Sequence, residues 1–180
     1  MLKYIMLSAG LISMFTTVQS KASNLYGELD ALYFASPGDF DGEQTMGLTL
    51  GWEINNHHSV EAEIQVNGLD SQKFGFEADA DLISYLLGYR FTFAENGNVR
   101  YFSGLGVGYS RAEFSTDSTT REKQGVNMGF IRAGVEYDFS PNAYVTGELR
   151  YQHISDLSKN GVEYEIGDIP VVGVSFGYRF

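Results

Sequence analysis

The chain has no cysteine, no apolar run beyond its first segment that approaches the ~20 residues of a membrane-crossing helix, and only 12 Lys and Arg against 23 Asp and Glu. Each absence removes a class of protein. Without cysteine there is no disulfide scaffold and no thiolate metal site, so stability must come from the fold itself. Without a second long apolar run there is no helical membrane span. The acidic balance repels nucleic acid, which is not expected as a partner.

What is present begins at the N-terminus. Lys3 precedes an almost uncharged, apolar stretch from Tyr4 to Val18, and small residues follow at Ser20 and Ala22. This reads as a cleaved signal peptide over residues 1–22, with cleavage after Ser20 or after Ala22 and Ala22 favoured. Residues 23–180 are then one domain of 158 residues, in which 10 basic and 23 acidic residues give a formal charge of −13.

Along that domain, large apolar side chains recur at every second position, the period of a strand with one greasy face. Eight such runs lie near 24–34, 44–54, 58–68, 82–93, 99–114, 124–139, 143–155 and 169–180, with no convincing helix. Short connections at Asn55-Asn56-His57, Ala94 to Asn98 and Ser140-Pro141-Asn142 alternate with long polar ones near 35–43, 69–81, 115–123 and 156–168. An even-stranded up-and-down barrel puts all short turns and both chain ends on one rim. The expected fold is therefore all-β, an eight-stranded antiparallel up-and-down transmembrane barrel.

A soluble lipid-binding barrel shows the same alternation with its apolar side inward, so the period alone does not orient the faces. Aromatic placement does. Trp52, Phe91 and Phe93, Tyr137 and Phe139, and Tyr178 all fall near the short-turn rim on the apolar face, while Tyr33, Tyr109 and Tyr151 fall toward the other rim. Such banding is the signature of aromatic belts at membrane interfaces. The final strand places Val172, Val174, Phe176, Tyr178 and Phe180 on one side. This pattern resembles the C-terminal strand of bacterial outer-membrane barrels, in which such a strand is read by the barrel-assembly machinery. The chain as a whole resembles the small OmpA-like or opacity-type barrels. The resemblance implies the outer membrane of a Gram-negative bacterium, contact with membrane lipid and lipopolysaccharide, a monomer, and a structural, surface-antigen or interaction role carried by extracellular loops.

With the apolar face outward, the lumen receives Glu28, Asp30, Glu53, Glu61, Glu63, Glu136, Asp138 and Glu148 together with Arg90, Arg100, Arg132, Arg150 and Arg179. Charges held away from bulk water must be paired, and eight strands enclose a space that side chains fill, so an open pore is not expected. The run Gly104-Leu105-Gly106-Val107-Gly108 is not a nucleotide loop: no helix follows, and alternate glycines on the inner face make room for neighbouring Arg and Phe side chains. The acidic stretch Asp39-Phe40-Asp41-Gly42-Glu43 lacks the spacing of a calcium loop, and His57-His58 has no third ligand, so no metal or cofactor is expected.

One constellation could carry chemistry. His153 and Ser155, two apart on the lipid side of the seventh strand, with Glu163 or Glu165 as acid and Glu163 favoured, supply a base, a nucleophile and an orienting carboxylate. The stretch resembles the His-x-Ser signature of outer-membrane lipid A deacylases, which implies a serine esterase acting in the outer leaflet. This chain carries Asp156 where that family has Asn, and the plainer reading, polar residues at a strand end level with lipid headgroups, is preferred.

Overall fold

The computed structural model describes residues 24–35, 44–73, 76–115, 121–159, 162–164 and 167–180. The expected signal segment 1–22 and the acidic stretch 39–43 lie outside them. Eight strands form a closed barrel: β1 (Leu25–Phe34), β2 (Gln44–Asn55), β3 (His58–Lys73), β4 (Phe76–Asn96), β5 (Val99–Ser115), β6 (Arg121–Asp138), β7 (Ala143–Ile154) and β10 (Gly167–Arg179). Each pairs antiparallel with its chain neighbour. The last closes on the first from Tyr26↔Arg179 to Phe34↔Val171. A separate two-stranded hairpin, β8 (Leu157–Lys159) with β9 (Val162–Tyr164), occupies part of the long connection between β7 and β10.

The short turns are built from local chemistry. Asn55 accepts the His57 and His58 backbone N–H groups at its Oδ1, at 2.9 and 3.1 Å, and Ser140 Oγ accepts the Ala143 N–H at 2.9 Å. Gly97 sits at φ 61°, the left-handed conformation that tight turns assign to glycine. His57 is accordingly a turn residue, donating from Nδ1 to the Thr92 carbonyl at 2.9 Å, and His58 opens β3 and contacts Tyr89 and Phe91.

The faces fall as the alternation requires. Leu105, Val107, Ile131, Leu149, Val172, Val174 and Phe176 are all more than half exposed, a degree of exposure that only lipid makes tolerable. Trp52, Phe93, Tyr137, Phe139 and Tyr178 point outward near the short-turn rim, and Tyr33, Tyr85, Tyr109 and Tyr151 near the other. Gly106 leaves space inside: a Cβ there would come within 2.4 Å of the Phe130 ring.

Two features depart from the sequence reading. The connection expected near 69–81 is largely strand, and the one near 115–123 is strand at its described residues 115 and 121–123: β3 pairs with β4 to Lys73↔Phe76 and β5 with β6 to Ser115↔Arg121. Pairing above a membrane needs no apolar outer face, so polar strand extensions carry no alternation to read. The neighbours stop lower, β2 beginning its pairing at Thr45↔Asn67 and β7 ending at Met128↔Ile154. The lumen, expected to be charged or small throughout, is so only in its short-turn half. Toward the long-connection end an apolar cluster of Leu32, Phe34, Leu82, Leu86, Ala112, Val126, Met128, Phe130, Ile154, Ile169 and Val171 dominates, with buried Thr45, Asn67, Ser84, Ser110 and Gln152 set among it. In that half the inner face is the one that escapes both lipid headgroups and water, and it packs like the core of a soluble protein.

Candidate functional site

The charged half of the lumen is one connected network. Arg90 donates to Glu28 at 3.0 Å and to Glu136 at 2.6 Å. Arg132 reaches Glu61 and, at 3.2 Å, Glu148. Arg150 bonds Glu63 at 3.1 Å and Glu148 at 2.9 Å. At the mouth, Arg179 holds Asp138 at 2.6 Å and also Glu136, while Arg100 lies 3.4–3.8 Å from Glu53, Glu95, Glu136 and Asp138. Asp30 is buried and accepts the Thr49 hydroxyl at 2.8 Å. Aromatic rings complete the shell: the Arg90 guanidinium stacks 3.9 Å from the Phe102 centroid and Arg150 4.5 Å from that of Phe130.

Tyr26 and Tyr144 belong to this network although the sequence reading passed over them. The Tyr26 hydroxyl donates to Glu61 at 2.5 Å and that of Tyr144 to Glu28 at 2.9 Å. Strand parity could have found both, since Tyr26 shares its face with Glu28 and Tyr144 with Glu148. Chemically, the network uses the hydroxyls of Tyr26, Tyr144 and Thr49 as donors to carboxylates. It is an ionic plug in which carboxylates outnumber arginines, and each arginine bridges carboxylates from different strands.

The second candidate lies on the outside of the barrel, at the long-connection rim. His153 projects outward from β7 and its Nδ1 lies 2.9 Å from Asp168 Oδ1, directly opposite on β10. The Tyr151 hydroxyl hydrogen-bonds the same carboxylate. Ser155 follows the end of β7, on the side of His153, and its backbone N–H donates to the Asn127 carbonyl at 3.0 Å. A carboxylate that meets His153 is thus Asp168, a residue the sequence alone did not single out. Glu163 is in β9, opposite Ser158, and its side chain lies outside the described residues. Distance along the chain points to Glu163; barrel register sets His153 against a residue of the next strand.

Val172, Val174, Phe176 and Tyr178 form the outward row of β10, and the Phe180 N–H reaches the Leu25 carbonyl at 3.0 Å across the seam where β10 meets β1. A barrel closed by eight antiparallel strands, apolar outside, belted with aromatics and charged within, defines a membrane protein of the outer-membrane type. Residues 5–180 match the model of the outer membrane protein beta-barrel domain, and the chain belongs to that family. No curated protein matches it. Among solved structures it is similar to Neisserial surface protein A, at 17% identity and a TM-score of 0.70, over 89% of this chain and 100% of that one. It is also similar to Ail, the attachment invasion locus protein of Yersinia pestis (19% identity, TM-score 0.56, 88% and 97% covered), and to the N-terminal barrel of Pseudomonas aeruginosa OprF (16%, 0.50, 88% and 100%). At these identities the likeness is one of fold.

Proposed function

We propose that this outer-membrane barrel is a surface interaction protein, whose working part is the sheet that stands above the membrane and whose lumen only holds that sheet in place. The observation that carries this is the inequality of the strands. A tilted membrane strand needs ~9–11 residues; β1, β2, β7 and β10 have 10 to 13, whereas β3, β4, β5 and β6 have 16 to 21. The surplus makes a four-stranded wall that, from Asn67 to Lys73, rises roughly 15–20 Å at ~3.3 Å per residue. Rigid scaffolds that raise loops in this way are where recognition residues concentrate. Ail, of similar fold, is named for attachment and has been solved with the heparin analogue sucrose octasulfate.

The test replaces residues 69–79 and 113–123 with short turns and compares binding of whole cells to surfaces coated with heparin or with matrix proteins. Loss of binding by a shortened protein still present in the outer membrane supports the reading. Binding that survives the shortening, or that equals that of cells lacking the protein, overturns it.

The contact between His153 and Asp168 favours a second reading, a serine esterase of the outer leaflet. In that reading Asp168 orients the imidazole through Nδ1, Nε2 takes the Ser155 hydroxyl proton as the serine attacks an acyl ester and passes it to the departing sugar hydroxyl, and water then hydrolyses the acyl-serine to free the fatty acid. Ser155→Ala should then restore an acyl chain to the lipid A of expressing cells. Identical lipid A mass spectra with and without the protein would dispose of it.

A further inference from the structure

The outward residues at the long-connection rim change character around the barrel. On β1 to β4 they are Tyr33, Met46, Val66 and Ile83. On β5, β6, β7 and β10 they are Arg111, Asn127, His153 and Asp168, all exposed. Register makes these four a continuous row. Arg111 faces Gly125 and Tyr109 faces Asn127, so Asn127 is one diagonal step from Arg111; His153 faces Gly129, so Asn127 is also one diagonal step from His153. His153 faces Asp168 directly. Diagonal cross-strand neighbours lie ~7–8 Å apart, within reach of long side chains. Barrel strands tilt by ~35–45°, so a line parallel to the membrane crosses them diagonally. The row therefore runs level with the membrane surface, just above Tyr109 and Tyr151.

Its charges are unevenly committed. Glu113 holds Lys123 at 3.0 Å, and Asp168 is held by His153 and Tyr151, while Asp81 on β4 has a contact of its own. Arg111 makes no ion pair among the described residues. A guanidinium facing outward at the lipid boundary is stable where an anion meets it, and a planar fork suits a phosphate.

We propose that this ledge binds the phosphorylated sugar headgroup of lipid A in the outer leaflet. Arg111 takes the phosphate, and Asn127 and His153, the imidazole fixed by Asp168, take polar groups of the sugar. The proposal rests on the outer-membrane placement and on the long connections facing outward; it requires neither the attachment role nor ester cleavage.

The experiment is native mass spectrometry of the detergent-solubilised full protein titrated with bis-phosphorylated lipid A, dephosphorylated lipid A and phosphatidylglycerol. Bis-phosphorylated lipid A should bind at least tenfold more tightly than either of the others. Arg111→Gln should lose about tenfold, as expected for one charge-assisted hydrogen bond, and Arg111→Lys should recover only part of it because the fork is lost. Lys123→Gln, whose charge is already engaged by Glu113, should bind as the parent does. Equal binding of dephosphorylated lipid A or of phosphatidylglycerol, or an Arg111→Gln protein that is heat-modifiable and binds undiminished, would overturn the proposal. Bound lipid A that keeps its full acyl mass leaves the ledge intact while counting against the esterase.

Discussion

At the scale of single residues, what distinguishes the lumen is that its ions are shared. Arg132 lies between Glu61 and Glu148, and Glu148 in turn lies between Arg132 and Arg150, with side chains no more than 4% exposed. Removing one member of such a chain strands its partners in a place that water does not reach. Arg132→Leu should therefore cost about 3–5 kcal/mol of folding free energy, the range for breaking a buried pair. Arg100→Leu, at the mouth with a side chain 28% exposed and its closest carboxylate 3.4 Å away, should cost about 1 kcal/mol or less. Urea unfolding in lipid vesicles separates the two, and similar losses would mean that the network is solvated along its whole length. Tyr144→Phe keeps the ring under Arg179 but removes the donor to Glu28, and should fall between them at about 1.5–3 kcal/mol.

At the scale of the strand, lipid sets one row and the lumen the other. Leu105 is 57% exposed at the middle of β5, between inward Gly104 and Gly106. Leu105→Arg should cost about 2–4 kcal/mol, and Tyr109→Arg, four residues nearer the rim, about 0–1 kcal/mol. Vesicle unfolding reads the difference, and a Leu105→Arg protein that stayed folded in water without lipid would show that the outer face does not need a bilayer. This two-row logic is also why so much of the barrel was legible in the sequence. Where a strand is apolar on one side and polar on the other, as in Met46 to Ile54 or Val60 to Val66, period, face and neighbour all follow from alternation. It fails where the environment is the same on both faces. Above the membrane, water wets the sheet, so the extensions of β3 to β6 carried no period to read. Register is the other limit. His153 and Ser155 were visible as a pair, but Asp168 meets His153 only because β10 lies against β7 in one alignment, and nothing local to either strand states that alignment.

At the scale of the whole molecule, the lumen is stopped twice by different physics. The short-turn half is filled by arginines ion-paired among a larger number of carboxylates, and the long-connection half mainly by Phe34, Leu82, Leu86, Met128, Phe130, Ile154 and Ile169, packed to under 7% exposure. An ion entering from the short-turn mouth would have to displace a paired charge and then cross a mainly apolar layer, where an unpaired ion is most costly. Eight-stranded barrels in general have interiors that side chains fill, whereas aqueous channels need ~16–18 strands. The two stops should act in series. In planar bilayers the parent protein should show no sustained conductance. Removing the ionic stop alone, with Arg90→Ala and Arg132→Ala, should leave it closed, and so should thinning the apolar one alone, with Leu86→Ala and Phe130→Ala. Only the fourfold variant should pass current. Porin-sized openings in the parent would contradict both stops. A conducting Arg90→Ala, Arg132→Ala protein would show that the apolar layer does not seal, and that the barrel is closed by its charges alone.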